Sequence, residues 1–274
     1  MRPSAWRTAG RIAGLLLAAA ALPATADTSP WQVEAGVGVD HLSNGAPDWR
    51  QVDLSLRRQL VPRSVAELSL RSTRRSGLTD EELGAAVGLP LDRRWSLALA
   101  ATLSPSHRVL ARGSARLELT RDLDHGWVAG ANFGRRLYSD GGNSQWGLGL
   151  ERYVAAWRVA TGVGQTRLDG GGAATNLRLQ LDRYFADERG RIGVIVASGR
   201  ELEGVPAVPG ANADLIDQRV RTLAVTGAWP LAPAWALTAE ASQVRYSDIQ
   251  RRSVAVASAP YRRSGVRLGV RHDF

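Results

Sequence analysis

Two short constellations in this chain carry side chains able to do chemistry. His41 and Ser43 stand two residues apart, so an extended backbone puts an imidazole and a hydroxyl on one face, the pairing that a general base and its nucleophile require. Ser104, Ser106 and His107 form a looser second grouping. Neither has a carboxylate at a spacing that would orient the imidazole, and Ser43-Asn44-Gly45 is also ordinary turn chemistry. The chain has no cysteine. The runs at residues 139–143 and 169–172 lack the series of oxygen ligands that calcium demands and read as tight turns. Glu201, Glu203, Asp214 and Asp217 lie in a long connector that reads as a solvated lid, with a divalent ion as the alternative. No cofactor and no metal are expected.

Charge is the more abundant resource, and its placement depends on the elements that carry it. Every basic residue is Arg, and the formal net charge is +9. The arginines alternate with acids along the chain instead of gathering in a patch or a recognition helix, which argues against a nucleic-acid partner and for anionic head groups or an anionic polymer.

The alternation has a strict period of two. In the stretch from Arg262 to Phe274, Val266, Leu268, Val270, His272 and Phe274 take one face, and Gly265, Arg267, Gly269, Arg271 and Asp273 the other. The same rhythm recurs from Trp31 onwards in about fourteen segments of about ten residues, the length of a tilted membrane strand. The connectors alternate between short ones, such as residues 61–63 and 154–156, and longer polar ones, such as 42–48, 201–218 and 247–261. A terminal Phe on an amphipathic last strand resembles the closing strand of outer-membrane β-barrels, where that end is the signal read by the barrel-assembly machinery.

Residues 1–26 read as a secretory signal peptide: Arg2, Arg7 and Arg11, an apolar run from Ile12 to Leu22, then the small-residue site Ala24-Thr25-Ala26. The apolar run is too short to span a bilayer. Cleavage would remove those three arginines and lower the net charge from +9 to +6. The expected architecture is therefore all-β: an antiparallel transmembrane β-barrel at residues 27–274 in the outer membrane, both ends periplasmic. A soluble β-sandwich is the rival fold, since its strands also alternate.

Aromatic residues favour the barrel. Trp31, Trp95, Trp127, Trp157 and Trp235 each open an ascending strand, and Trp229 and Phe274 close descending ones at the same rim. Trp49, Tyr138, Trp146, Tyr246 and Tyr261 fall near the opposite rim, so two interfacial belts are predicted. By parity the lumen holds Glu34, Asp40, Asp53, Arg57, Glu67, Arg71, Arg112, Arg116, Glu118, Arg136, Glu151, Arg158, Arg178, Asp182, Arg221, Glu240, Arg267, Arg271 and Asp273. Such a lining is either a structural ion-pair network or an anion-selective one. Inward glycines, among them Gly38, Gly84, Gly147 and Gly164, give either room for solute or tight curvature.

Residues 36–43 with Pro47-Asp48-Trp49, the Arg57-Arg58 pair, Leu103-Ser104-Pro105 and the ending from Tyr261 to Phe274 resemble the YaiO-type outer-membrane β-barrels. That resemblance implies a barrel associated with exopolysaccharide or cell-surface functions and supplies no catalytic residues. The His41-Leu42-Ser43-Asn44 spacing is similar to that of the lipid A deacylase family, although that family is a smaller barrel with the motif late in the chain. The expected function is a passive or accessory conduit for anionic or saccharide solutes. The alternatives are a lipid-modifying hydrolase using His41 and Ser43, and a structural barrel without transport. Outer-membrane lipids and lipopolysaccharide are the expected surroundings.

Overall fold

A computed structural model describes residues 31–139, 141–186, 189–205, 214–251 and 257–274. The signal peptide and residues 206–213 of the expected lid lie outside the described residues. All regular structure described is strand: β1 Trp31–Leu42, β2 Trp49–Val61, β3 Ser64–Arg75, β4 Leu78–Pro90, β5 Trp95–Leu103, β6 Gly113–Asp122, β7 Trp127–Tyr138, β8 Gly141–Val154, β9 Trp157–Leu168, β10 Ala173–Phe185, β11 Gly190–Val205, β12 Asp214–Ala232, β13 Trp235–Arg251, β14 Ala257–Ser258 and β15 Tyr261–Asp273.

Each strand pairs antiparallel with its sequence neighbour, and β1 pairs with β15 from Gln32↔Asp273 to Leu42↔Arg263. The two-residue β14 only extends an outer hairpin against Ile249 and Gln250 of β13, so β13 pairs directly with β15 and the wall is a closed barrel of 14 strands. Closure leaves no free edge in the wall, which is how a β-sheet satisfies its backbone groups in lipid. A single closed layer has no second sheet to pack against, which excludes the sandwich.

The pleat sorts the side chains. Leu68, Phe133, Leu148, Leu177 and Leu223 are more than half exposed on the outside. Buried apolar side chains are few, and one small cluster of Val244, Tyr246 and Ile249 sits at the outer end of β13. Apolar outside and polar inside is the inverse of a water-soluble domain and the pattern of a membrane barrel.

Turn chemistry sets the register at the rims. Ser76 and Gly77 have φ of 48° and 81° between the paired residues Arg75 and Leu78, the left-handed two-residue turn that matches strand twist. At the other rim the Asp92 carboxylate accepts from the Arg94 and Trp95 N–H groups at 2.7 Å each, and these bonds hold its carboxyl below the usual carboxylate range. The strands β11, β12 and β13 run 16, 19 and 17 residues, further at the outer rim than alternation predicts. Beyond the bilayer both faces meet water, so the period-two signal fades although the ladder continues.

Candidate functional site

The inward wall is built from ion pairs, some between directly opposed residues of neighbouring strands and some between residues two apart on one strand. Arg71 of β3 reaches Asp53 of β2 at 2.7 Å and Glu82 of β4 at 3.3 Å. Arg158 of β9 binds Glu151 of β8 through two nitrogens at 2.8 and 2.6 Å, and Asp182 of β10 at 2.7 Å. Asp182 is fully buried and also accepts from Gln180, which in turn receives Arg178 at 2.7 Å. Arg267 bonds Glu240 at 2.9 Å, Arg116 bonds Glu118 at 2.7 Å, Arg271 lies 3.7 Å from Asp273, and Glu34 accepts from Thr238 at 2.9 Å. Arg57, Arg112 and Arg136 have no carboxylate partner among the described residues. Arg221 is not in the lumen: it shares the face of Leu223 and Val225, exposed by 52% and 44%, and therefore faces lipid.

The inward glycines are berths for neighbouring polar side chains. A Cβ on Gly147 would meet Asn132 at 2.8 Å, one on Gly164 would meet Asn176 at 3.0 Å, and one on Gly38 would meet Arg267 at 2.8 Å. Gly84, Gly193 and Gly265 carry Ser69, Asp182 and Asp40 still closer. At these positions the space freed by the missing side chain is filled from the adjacent strand.

The outer mouth holds Trp49, Tyr246 and Tyr261, which their positions near strand ends assigned to the lipid belt. Trp49, expected in the lipid belt, opposes Asp40 and takes the inward face; Arg75 and Arg263 stand over its ring at 4.3 and 5.1 Å. Beside it Tyr246 and Tyr261 stack at 4.5 Å, and Arg263 lies 5.8 Å from Tyr246. Because the order Trp49-Arg50-Gln51-Val52 begins with the lumenal face, the ring at the strand end is inside, which a rule based on strand ends alone misses. Arg75 Nε is buried without a hydrogen-bond partner.

One outer connector folds onto the wall. Asp80, fully buried at the outer end of β4 on the face of Glu82, accepts from the Val109 and Leu110 N–H groups at 2.6 and 2.9 Å. Arg108 donates to the Thr79 carbonyl at 2.6 Å. Residues 104–112 are thereby drawn to the inner face of β4. The acidic connector at 201–218 was the expected lid, and its residues 206–213 lie outside the described residues.

Tyr138 shares the inward face of Arg136; the expected tryptophans other than Trp49, and Phe274, face lipid, and four of the periplasmic tryptophans have arginine partners. Trp31, Trp95, Trp127 and Trp157 lie under Arg58, Arg121, Arg152 and Arg183 at 4.8, 5.2, 5.0 and 5.5 Å, each pair directly opposed across a hairpin. Trp235 meets His272 edge-on at 4.2 Å, His272 meets Phe274 at 4.4 Å, and Trp229 packs on Phe185 at 5.7 Å. Trp146 donates to Gln165 at 3.2 Å. An apolar band bounded by such rings is the signature of a transmembrane barrel. The protein is an outer-membrane β-barrel.

Comparison with solved structures gives the same fold. The chain is similar to a bacterial polysaccharide outer membrane secretin (TM-score 0.58, 9% identity, 90% of this chain and 99% of that one). It is also similar to the TodX deltaS2S3 mutant monoaromatic hydrocarbon channel (TM-score 0.52, 13% identity, 90% and 91%). A third is the translocator domain of autotransporter NalP from Neisseria meningitidis (TM-score 0.50, 13% identity, 98% and 95%). No family model matches the chain, and no curated protein matches it.

His41 and Ser43 complete the inventory. His41 Nδ1 lies 2.9 Å from Asp48 Oδ1, a carboxylate partner seven residues away that only the hairpin reveals. Ser43 Oγ accepts from the Arg262 N–H at 2.8 Å, and the Ser43 N–H donates to the Arg262 carbonyl at 2.9 Å, closing the outer end of the β1–β15 seam. In the looser grouping Ser104 is buried, and its hydroxyl accepts from the His107 N–H at 3.3 Å.

Proposed function

We propose that this barrel, of the YaiO type, is a passive or accessory conduit for anionic or saccharide solutes. The observation that carries the reading is the outer mouth, where Arg75 and Arg263 are held over the Trp49 ring without a carboxylate partner among the described residues. Stacking fixes the two guanidinium groups without neutralising them, so they remain available to an anion. Arg136 near the outer β7–β8 turn and Arg57 near the periplasmic rim continue the positive lining, while the lumenal acids are largely occupied by their own arginines. Aromatic faces and arginines at one mouth also suit acidic sugars, and the polysaccharide secretin among the similar structures has the same architecture.

The experiment is single-channel conductance of the refolded mature protein in a planar bilayer, with selectivity taken from the reversal potential. Anion preference is expected, reduced in the Arg75→Gln/Arg263→Gln variant. A folded protein that conducts with cation preference, or whose preference is unchanged in the variant, contradicts the reading.

A second reading, hydrolysis of an outer-leaflet lipid, is favoured by the Asp48–His41 contact, which gives the imidazole an orienting acid beside Ser43. Mass analysis of lipid A from cells carrying the wild type or Ser43→Ala decides it: identical acylation patterns rule it out.

A further inference from the structure

Three arginines stand side by side on the lipid-facing wall with no counter-charge among the described residues. Arg221 of β12 is directly opposed to Arg245 of β13, and Arg245 to Arg262 of β15. All three are exposed. They share their faces with the apolar band: Leu223 and Val225 lie below Arg221, and Val266 and Leu268 below Arg262. The neighbouring acids are engaged elsewhere. Asp217 is taken by Arg200 at 2.9 Å, Asp248 by Arg219 at 3.4 Å, and Asp48 by His41 at 2.9 Å. No carboxylate pairs with Arg221, Arg245 or Arg262 among the described residues.

Like charges directly opposed on one face destabilise a sheet. At the upper margin of an apolar band the solvent that would screen them is thinned by lipid, so the repulsion is stronger than on a water-exposed surface. A row of this kind is stabilised by an anion lying across it. The row beneath adds directly opposed polar groups, Gln243 and Ser264, on the same face. The row is at the rim opposite Trp229, Trp235 and Phe274, on the extracellular side.

We infer that the Arg221–Arg245–Arg262 row is a binding site for the phosphate of an outer-leaflet glycolipid of the lipid A class. Its acyl chains lie along Leu223, Val225, Val266 and Leu268, and its sugar and amide groups meet Gln243 and Ser264. A soluble anion is disfavoured because the guanidinium groups face away from the lumen. The site requires only the membrane placement of the barrel and is independent of what passes through it.

The test uses the mature barrel refolded in detergent, with bis-phosphorylated lipid A, dephosphorylated lipid A and phosphatidylglycerol as separate probes, followed by native mass spectrometry and thermal melting. The wild type is expected to retain bis-phosphorylated lipid A and to melt at a higher temperature with it. The Arg221→Gln/Arg245→Gln/Arg262→Gln variant is expected to bind it at least about tenfold more weakly, each interfacial arginine supplying a several-fold share. Without lipid the same variant is expected to melt no lower than the wild type, because repulsion is relieved, which separates lost binding from lost folding. Arg58→Gln/Arg121→Gln/Arg183→Gln, an equal loss of charge at the other rim, is expected to leave lipid A binding intact. Equal binding by the wild type and the outer-rim variant overturns the assignment, as does equal retention of dephosphorylated lipid A. Equal retention of phosphatidylglycerol overturns the glycolipid class in favour of a general phospholipid phosphate.

Discussion

Arg158 shows what a single residue does in this wall. Its guanidinium bridges Glu151 and the fully buried Asp182, and it is itself largely buried. Removing it leaves Glu151 and Asp182 without their shared cation, with only Arg191 at 3.9 Å from Asp182, and the expected cost is about 3–5 kcal/mol for the broken buried pair. Arg158→Met is therefore expected to lower the urea midpoint of the refolded barrel markedly, whereas Arg58→Met on the exposed belt is expected to move it little. Parity alone brought Arg158, Glu151 and Asp182 to one face from the sequence. It also misplaced Arg221, because the β12 register has to be counted from Leu223 and Val225, and no aromatic marks the outer end of that strand. The carboxylate partner of His41 was not legible, since Asp48 reaches it across a turn and not along a strand.

At the scale of the element, the hairpin is the working unit. Five descending strands end on an apolar residue, a lumenal one and then an Arg or His: Leu56-Arg57-Arg58, Leu119-Thr120-Arg121, Leu150-Glu151-Arg152, Leu181-Asp182-Arg183 and Val270-Arg271-His272. Each of the four arginines, and His272 edge-on, meets the Trp that opens the paired ascending strand. This signal was present in the sequence and is read only when strand ends are aligned to one another. Outer turns are tied differently. Arg135 of β7 clamps Asp169 in the β9–β10 turn with two bonds of 2.5 Å, and these hold the Asp169 carboxyl below the usual carboxylate range. A depressed carboxyl stabilises the folded form above its unfolded value and loses that contribution as pH falls through its lowered one. Amide exchange in residues 168–172 is therefore expected to quicken relative to mid-β9 amides on acidification to about pH 3, after correction for intrinsic rates. Unchanged relative protection argues that the turn is held by its backbone bonds, such as Leu168 N–H to Gly172, alone.

For the whole molecule, strand number and closure were legible because lipid enforces alternation in every wall strand, and wherever water meets both faces that rule lapses. The outer extensions of β11 to β13 and the inward fold of residues 104–112 were invisible for this reason. The Asp80 anchor has a global consequence. Asp80→Ala removes the acceptor of two loop N–H groups, so the segment is expected to leave the inner face of β4 and single-channel conductance to rise. Unchanged conductance in the folded variant would show that the segment does not set the bore.

The seam between β1 and β15 joins the Phe274 N–H to the Trp31 carbonyl at 2.9 Å, so the two ends of the wall lie next to each other at one rim. Chain order in the barrel is therefore cyclic in space, and the wall pairings do not depend on which hairpin turn carries the covalent break. A circular permutant that links the ends of β15 and β1 by a short flexible peptide and opens the chain between Gly170 and Gly171 keeps every wall pairing, with its new termini on the cell surface.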